Sequence, residues 1–269
     1  MKTLYRRGAG MDIHKKMVTV CVRLRVAKGQ VVKERAVFGT FTQDLERLGA
    51  WLKERKVKQV AMESTGVYWI PVWNVLERPS CHFELLLVNP QLVRALPGRK
   101  TDHMDCERIA DLLQQGLLRG SFIPPKPIRE LRDLTRRRAH LQGDRNRVTN
   151  RIGRLLETAN VKLGSVATNI TGKSGRAILS AIAHGRVNPE ALAEKALGRL
   201  RTKIPELVLA LEGRFSDHFR WLLRALLSEL EWLDARLAEL DARISEHMPR
   251  PAVLMILAFR GIVSSMAQM

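Results

Sequence analysis

The feature that most constrains the fold is a succession of short β-rich segments early in the chain. Partial alternation of apolar and polar residues and an excess of valine predict strands, and helical spacing of apolar residues predicts the helices between them. Strands are expected at 9–25 (a pair with a turn near His14), 30–41, 57–63 and 83–88. Helices are expected at 43–56 and 66–76. The order β-β-β-α-β-α-β predicts an α/β domain with a ribonuclease-H-like core.

The rest of the chain has the pattern of an all-helical region. Thr101 has the position of an N-cap for a helix over 102–118, and a Pro-rich linker follows at 120–127. An arginine-rich helix is expected over 128–163, shorter helices over 164–215, and a second long helix over 216–247. The leucine stripe of this last helix indicates a helix–helix seam, in an antiparallel coiled coil or a dimer interface.

The charge of the chain predicts a polyanionic partner. Lysine and arginine number 46 against 27 acidic residues, a formal charge of +19, and phosphate contacts by such residues release condensed counterions. A merely soluble basic surface is the alternative.

The three cysteines form no CxxC pair, so neither a disulfide framework nor a zinc site is expected. No run has the length of a signal peptide or membrane helix, which predicts a cytoplasmic, nucleoid-associated protein without a membrane partner.

Carboxylates placed at chain reversals are the candidate catalytic groups. Asp12 lies on the first strand, Glu63 ends a central strand, and Asp102 and Asp105 share one face of a helix start. Clustered carboxylates are the ligands that Mg²⁺ prefers, and two such ions can activate a nucleophile and stabilise a leaving oxygen. Taken singly, each acid could be an ordinary surface residue or a helix cap.

Three segments carry a resemblance to a known family: GMDIHKKMVTVCV, VAMESTGVYWIPVWNVLE and LVNPQLVRALPGRKTDHMDCERIADLLQQGLL. They resemble the N-terminal domain of DEDD insertion-sequence transposases, the family numbered one hundred and ten, which comprises bridge-RNA-guided recombinases. The resemblance covers about residues 10–160. It implies a RuvC-like domain whose four acids, Asp12, Glu63, Asp102 and Asp105, hold Mg²⁺.

The same resemblance implies a division of the chain into domains and a function. It implies a RuvC-like nuclease domain at 8–125 and a helical coiled-coil region at 126–247 that binds nucleic acid and dimerises. Residues 248–269 are expected to be a truncated remnant of a C-terminal domain, because neither Ser264 nor Ser265 has the context of the family's serine nucleophile. The expected function is DNA transposition or site-specific recombination, with a structured guide RNA as a further partner. The alternatives are an inactive remnant that only binds nucleic acid and a free-standing RuvC-like nuclease.

Basic residues are the candidate nucleic-acid contacts. Arg99 and Lys100 precede the helix of the last two acids, and the planar guanidinium fork suits phosphate. A solvated helix face is the alternative for the arginines of the long helix. That helix contributes Arg136, Arg137, Arg138, Arg145, Arg147 and Arg151. The sequence TGKSG at 171–175 lacks the preceding glycine and strand of a P-loop. No ligand spacing links His14, His103 and His140.

Overall fold

The computed structural model describes residues 4–26, 30–63, 66–91 and 105–248. It divides the chain into two compact units, Met1–Ile123 and Pro124–Met269. Part of the predicted helix over 102–118, including Asp102, and nearly all of the predicted C-terminal remnant therefore lie outside the described residues. None of the helices in the described ranges is long and apolar enough to cross a membrane.

A five-stranded mixed sheet forms the first unit, in the order β3-β2-β1-β4-β5. β1, β2 and β3 are antiparallel neighbours, whereas β1 pairs with β4 and β4 with β5 in parallel. This order and polarity are those of the ribonuclease-H-like fold, so the predicted fold class is confirmed. The strands are β1 (Arg7–Ile13), β2 (Met17–Arg25), β3 (Val31–Gly39), β4 (Gln59–Glu63) and β5 (Glu84–Val88).

One face of the sheet is covered by two helices, α1 (Thr42–Glu54) and α2 (Trp69–Leu76). Alternate residues of β1 and β4, such as Met11 and Met62, are fully buried in a core shared with these helices. Side chains on a strand alternate between faces, so the intervening residues of β1 and β4 point to the opposite side.

The opposite face carries helix α3 (Asp105–Gln114). The predicted helix over 102–118 is wrong at its carboxyl end, because the chain leaves the helix near Gly116. Gly116 has a φ of +70°, a left-handed backbone conformation that residues with a Cβ disfavour. The N–H of Gly116 donates to the carbonyl of Leu113, and the N–H of Leu117 donates to the carbonyl of Leu112, so the last turn is closed by the following residues.

The second unit is helical throughout its described part. The elements are α4 (Lys126–Thr158), α5 (Leu163–Val166), α6 (Lys173–Ala183), α7 (Pro189–Ala193), a 3-10 helix (Gly198–Lys203), α8 (Ile204–Ala210) and α9 (Asp217–His247). Gly143 and Gly153 do not interrupt α4. Pro127 belongs to the first turn of α4 rather than to the linker, since a proline there loses no helical hydrogen bond.

The two long helices α4 and α9 pack against each other in antiparallel orientation. Ion pairs join Arg138 to Asp241 near one end and Arg151 to Glu229 towards the other, so the chain directions oppose. The leucine stripe of α9 lies in this core, as its spacing predicts. Buried residues of the seam are Leu141, Val148, Ile152 and Leu156 of α4 with Leu223, Leu230, Leu233 and Leu237 of α9. Ser216 caps α9 by accepting a hydrogen bond from the N–H of Phe219 at 3.1 Å.

Candidate functional site

Asp12 lies at the carboxyl end of β1, the central strand of the sheet. It pairs across the sheet with the buried Thr19 of β2. Two residues earlier, Gly10 faces α3: a Cβ there would lie 2.3 Å from the backbone nitrogen of Ala110 and from the carbonyl oxygen of Cys106. Because residues two apart on a strand share a face, Asp12 projects to the α3 side. Its side chain is 22% exposed, so the carboxylate can still reach solvent and ligands.

Glu63 ends β4 on the same face and at the same end of the sheet. The parallel register pairs Met11 with Met62, so the next residue on each strand, Asp12 and Glu63, are neighbours. Glu63 also pairs with Val88 of β5, which packs with Ile109 of α3 in a core of its own. The strand register therefore places these two carboxylates side by side on one face of the sheet.

Asp105 is the first residue of α3, and the direction of α3 brings it to the same end. Near the start of β1, Gly8 lies against Leu113, late in the helix. Further along β1, Gly10 lies against Cys106, early in the helix. The helix thus runs opposite to β1, and its amino terminus lies at the edge where β1 and β4 end.

Polar contacts fix α3 on the sheet. Glu107 is 3% exposed and forms ion pairs with Lys33, whose Nζ lies 3.0 Å from its carboxylate, and with Arg35. Further along the helix, Arg23 forms an ion pair of 2.7 Å with Asp111. A buried carboxylate tolerates desolvation only when cations accompany it, so these contacts tie α3 to β2 and β3. Sequence reasoning missed Glu107, whose one signal was an acid on the apolar side of an amphipathic helix.

The negative charge of Asp12 contributes to the raised pKa of Cys106, the second residue of α3. Burial, together with smaller contributions from the nearby Cys21, Glu107 and Asp12, raises the pKa of the Cys106 thiol to about 12. Cys106 and Cys21 pack together in the small interface between α3 and the sheet. Both thiols therefore stay protonated at neutral pH and act as packing residues.

His14 is a neighbour of Asp12 that sequence reasoning did not assign. Its Nε2 lies 3.0 Å from Oδ2 of Asp12, and its ring is more than half exposed. The signal was available in the spacing, since residues i and i+2 of an extended chain lie on one side. This contact holds one carboxylate oxygen and leaves the other for a ligand.

These acids have the chemistry of a magnesium site but do not close into one within the described residues. Carboxylate oxygens are hard ligands of the kind Mg²⁺ takes, so the donor set fits the ion. Among the residues that the structure describes, however, no group of three His, Cys, Asp or Glu side chains is arranged to hold a metal. Asp102, the fourth predicted ligand, lies outside those residues, as do Arg99 and Lys100.

Several of the predicted nucleic-acid arginines have protein partners in the helical unit. Arg138 donates to Asp241, Arg151 lies 3.7 Å from Glu229, and Arg147 pairs with Asp144 of its own helix. Arg138 and Arg151 therefore join α4 to α9 through partly exposed ion pairs, whereas the pair of Arg147 stays on α4. Arg136 and Arg137 are exposed, and neither forms an ion pair within the described part of the chain.

Asp234 is the acidic centre of the helical unit. It accepts from Nε of Arg145 on α4 at 2.6 Å and also from Arg176 on α6. Burial acts to raise the pKa of Asp234, but the hydrogen bonds from these two guanidinium groups outweigh burial and hold that pKa below its ordinary value. One carboxylate thus joins three helices, and Arg145 has a structural role beside the predicted nucleic-acid one.

One family model and several solved structures match this chain, two of the structures being RuvC. The family model of IS110-type DEDD transposases, described as "Transposase", matches residues 9–161. RuvC of Thermus thermophilus is 15% identical, with a TM-score of 0.32 over 43% of this chain and 99% of its own. T. thermophilus RuvC in complex with a Holliday junction substrate is 14% identical, with a TM-score of 0.30 over 43% of this chain and 99% of its own. No curated protein matches the sequence.

Proposed function

Because the chain belongs to the IS110-type DEDD transposase family, we propose that it acts on DNA by metal-dependent phosphodiester chemistry, in transposition or site-specific recombination. One observation carries the proposal. The carboxyl ends of β1 and β4 and the amino terminus of α3 meet at one edge of the sheet, and each contributes an acid. Carboxylates gathered at one place repel each other, and a divalent cation relieves that repulsion.

In this proposal Asp12, Glu63 and Asp105 hold Mg²⁺ together with Asp102. The bound ion would supply Lewis-acid activation of the scissile phosphate and of the attacking oxygen. The contribution of the protein is positional. β1 and β4 hold two carboxylates in fixed register, and the ion pairs of Glu107 fix the helix that carries the third.

DNA is the proposed substrate, and the basic surface would hold it. The exposed Arg136 and Arg137, with Arg99 and Lys100, would contact phosphates, which positions a duplex without reading its sequence. A guide RNA is a further proposed partner, on the resemblance to the family alone. The excess of positive charge, +19 overall, suits either polyanion.

A homo-oligomer formed through the helical unit is part of the same proposal. Trp221 and Trp232 of α9 are 61% and 53% exposed, and their spacing is close to three helical turns, so both lie on one side of the helix. Large exposed aromatic side chains on one side of a helix are typical of a contact surface. A second copy of this chain would cover them.

Binding without cleavage is the alternative function, and one observation favours it. Within the described residues the acids are near one another but not grouped as a metal site. A chain with such a site could retain the fold and the basic surface and still lack catalysis.

Cleavage of duplex and four-way-junction DNA with and without Mg²⁺ separates the two functions. We expect metal-dependent cleavage by the wild type and a loss of at least about 100-fold in Glu63→Gln, since removal of even an outer-shell partner of a metal ligand can cost that much. Glu84→Gln is the matched control, because Glu84 begins β5 at the opposite end of the sheet and pairs with Gln59. Binding without cleavage, or equal cleavage by both variants, would contradict the proposed catalysis.

A further inference from the structure

A groove in the helical unit has a composition that the proposed metal site does not explain. It has a volume of about 460 Å³ and is formed by two stretches of chain, within 166–175 and 197–203. The first contains TGKSG, which sequence reasoning set aside because it is not a P-loop. The second is the 3-10 helix together with the residue before it. We call it the α6 groove, since Lys173–Ala183 begins at its wall.

Positive charge dominates the α6 groove. Lys173, Arg199 and Lys203 line it, all three are exposed, and none of its lining residues is acidic. None of these cations forms an ion pair within the described part of the chain. By contrast, the neighbouring Arg201, which does not line the groove, pairs with Glu194 at 3.1 Å. The unit thus neutralises a cation beside the groove and leaves those within it available to an anion.

The walls of the groove are held in place by hydrogen bonds. Oγ of Ser174 accepts from the N–H of Leu197 at 2.9 Å, which joins the two stretches. Nε of Arg176 donates to the carbonyl of Thr171 at 2.7 Å, while its guanidinium also pairs with Asp234. A site whose walls are already fixed loses less entropy when a ligand binds.

Close backbone approach shapes the turn that leads into α6. A Cβ on Gly175 would lie 2.1 Å from the carbonyl oxygen of Ile170, so only glycine fits there. Gly172, the N-cap of α6, has no side chain to accept from the first-turn N–H groups, and that turn has no acid. The positive end of the helix dipole therefore adds to the three cations that line the groove.

The geometry points to the α6 groove as a binding site for the phosphodiester backbone of a nucleic acid. Three unneutralised cations and a positive helix end select an anion. The groove is open, and Leu197 and Leu200 give it an apolar side against which sugar can lie. This site rests on the proposed function and deepens it, because it gives the helical unit a backbone contact of its own, separate from the carboxylates of the first unit.

The test is the salt dependence of binding by the full chain to a DNA duplex and to an RNA duplex of the same sequence. In the double variant Arg199→Gln/Lys203→Gln, we expect weaker binding and a slope of log K against log salt that is smaller by about 1 for each lost phosphate contact. Arg186→Gln/Arg214→Gln is the matched control, since it removes the same charge at exposed positions outside the groove. The duplex whose binding is weakened in the groove variant, DNA or RNA, identifies the nucleic acid whose backbone the groove contacts.

Two results would overturn the site: an unchanged slope with both duplexes in the groove variant, or an equal loss in the control. Unaltered circular dichroism and thermal midpoint in both variants exclude misfolding as the cause. Metal-dependent cleavage by the wild type is measured in the same preparations as an independent test of the proposed function. Its absence would contradict the proposed catalysis and leave the binding result for the groove intact.

Discussion

Asp234→Asn should destabilise the helical unit by an amount that the structure allows us to work out. The substitution removes a negative charge shared by Arg145 and Arg176. A hydrogen bond to a charged group contributes about 1.5–3 kcal/mol. The Asp234 side chain is 33% exposed, and screening by solvent brings the expected total loss for the two bonds to about 2 kcal/mol.

Urea unfolding followed by circular dichroism measures this loss. With a slope of about 2 kcal/mol per molar urea, a loss of about 2 kcal/mol lowers the midpoint by about 1 M. Asp241→Asn is the control, because its pair with Arg138 is half exposed and is expected to contribute about 0–1 kcal/mol. Equal midpoints for the two variants would refute the assignment of Asp234 as the centre of the unit.

The same variant makes a prediction about pH. The pKa of Asp234 is lower in the folded chain than its ordinary value, so the ion pairs stabilise the fold fully above the unfolded-state pKa of about 3.9. This stability is lost as the pH falls through the lower folded-state pKa. The difference in unfolding free energy between wild type and Asp234→Asn should therefore be constant near neutrality and shrink below about pH 4. A difference that is unchanged at acid pH would contradict the ion-pair explanation.

Two further substitutions test the site and the basic surface. Gly10→Ala should destabilise the first unit by about 1–3 kcal/mol and lower its cleavage activity, since the added Cβ would force α3 away from β1. Gly49 lies inside helix α1, and a Cβ there would make only an ordinary contact with Leu76 at 3.5 Å. Because alanine favours a helix more than glycine does, Gly49→Ala should be neutral or stabilising in the same denaturation assay. Arg136→Gln/Arg137→Gln should reduce the salt slope of DNA binding by about 0.9 per contact, and an unchanged slope would show that this surface of α4 faces elsewhere.

Much of the first unit could be predicted from sequence because its signals are local. The valine-rich runs give the five strands to within a few residues, and their order gives the fold class. The adjacency of Asp12 and Glu63 follows once β1 and β4 are parallel neighbours. What sequence could not give is the register itself, or the close contact of Gly10 with α3, since both depend on residues far apart in the chain.

The arginines of α4 show why the helical unit was harder to interpret. Their spacing predicts an exposed basic surface, yet the partner of Arg138 is 103 residues away, at Asp241. Neither helix alone reveals that pairing, because each acid on α9 is also an ordinary helix-surface residue. The groove at TGKSG was missed for the same reason, since its second wall lies beyond residue 196.

The most direct test of the central claim is a titration of the full chain with Mn²⁺, a spectroscopic substitute for Mg²⁺, followed by electron paramagnetic resonance. We expect saturable binding to the wild type and to Glu84→Gln, and at least about 100-fold weaker binding to Asp12→Asn and Glu63→Gln. Equal Mn²⁺ affinity in all four proteins, or no saturable binding to the wild type, would contradict a metal site at the edge where β1, β4 and α3 meet.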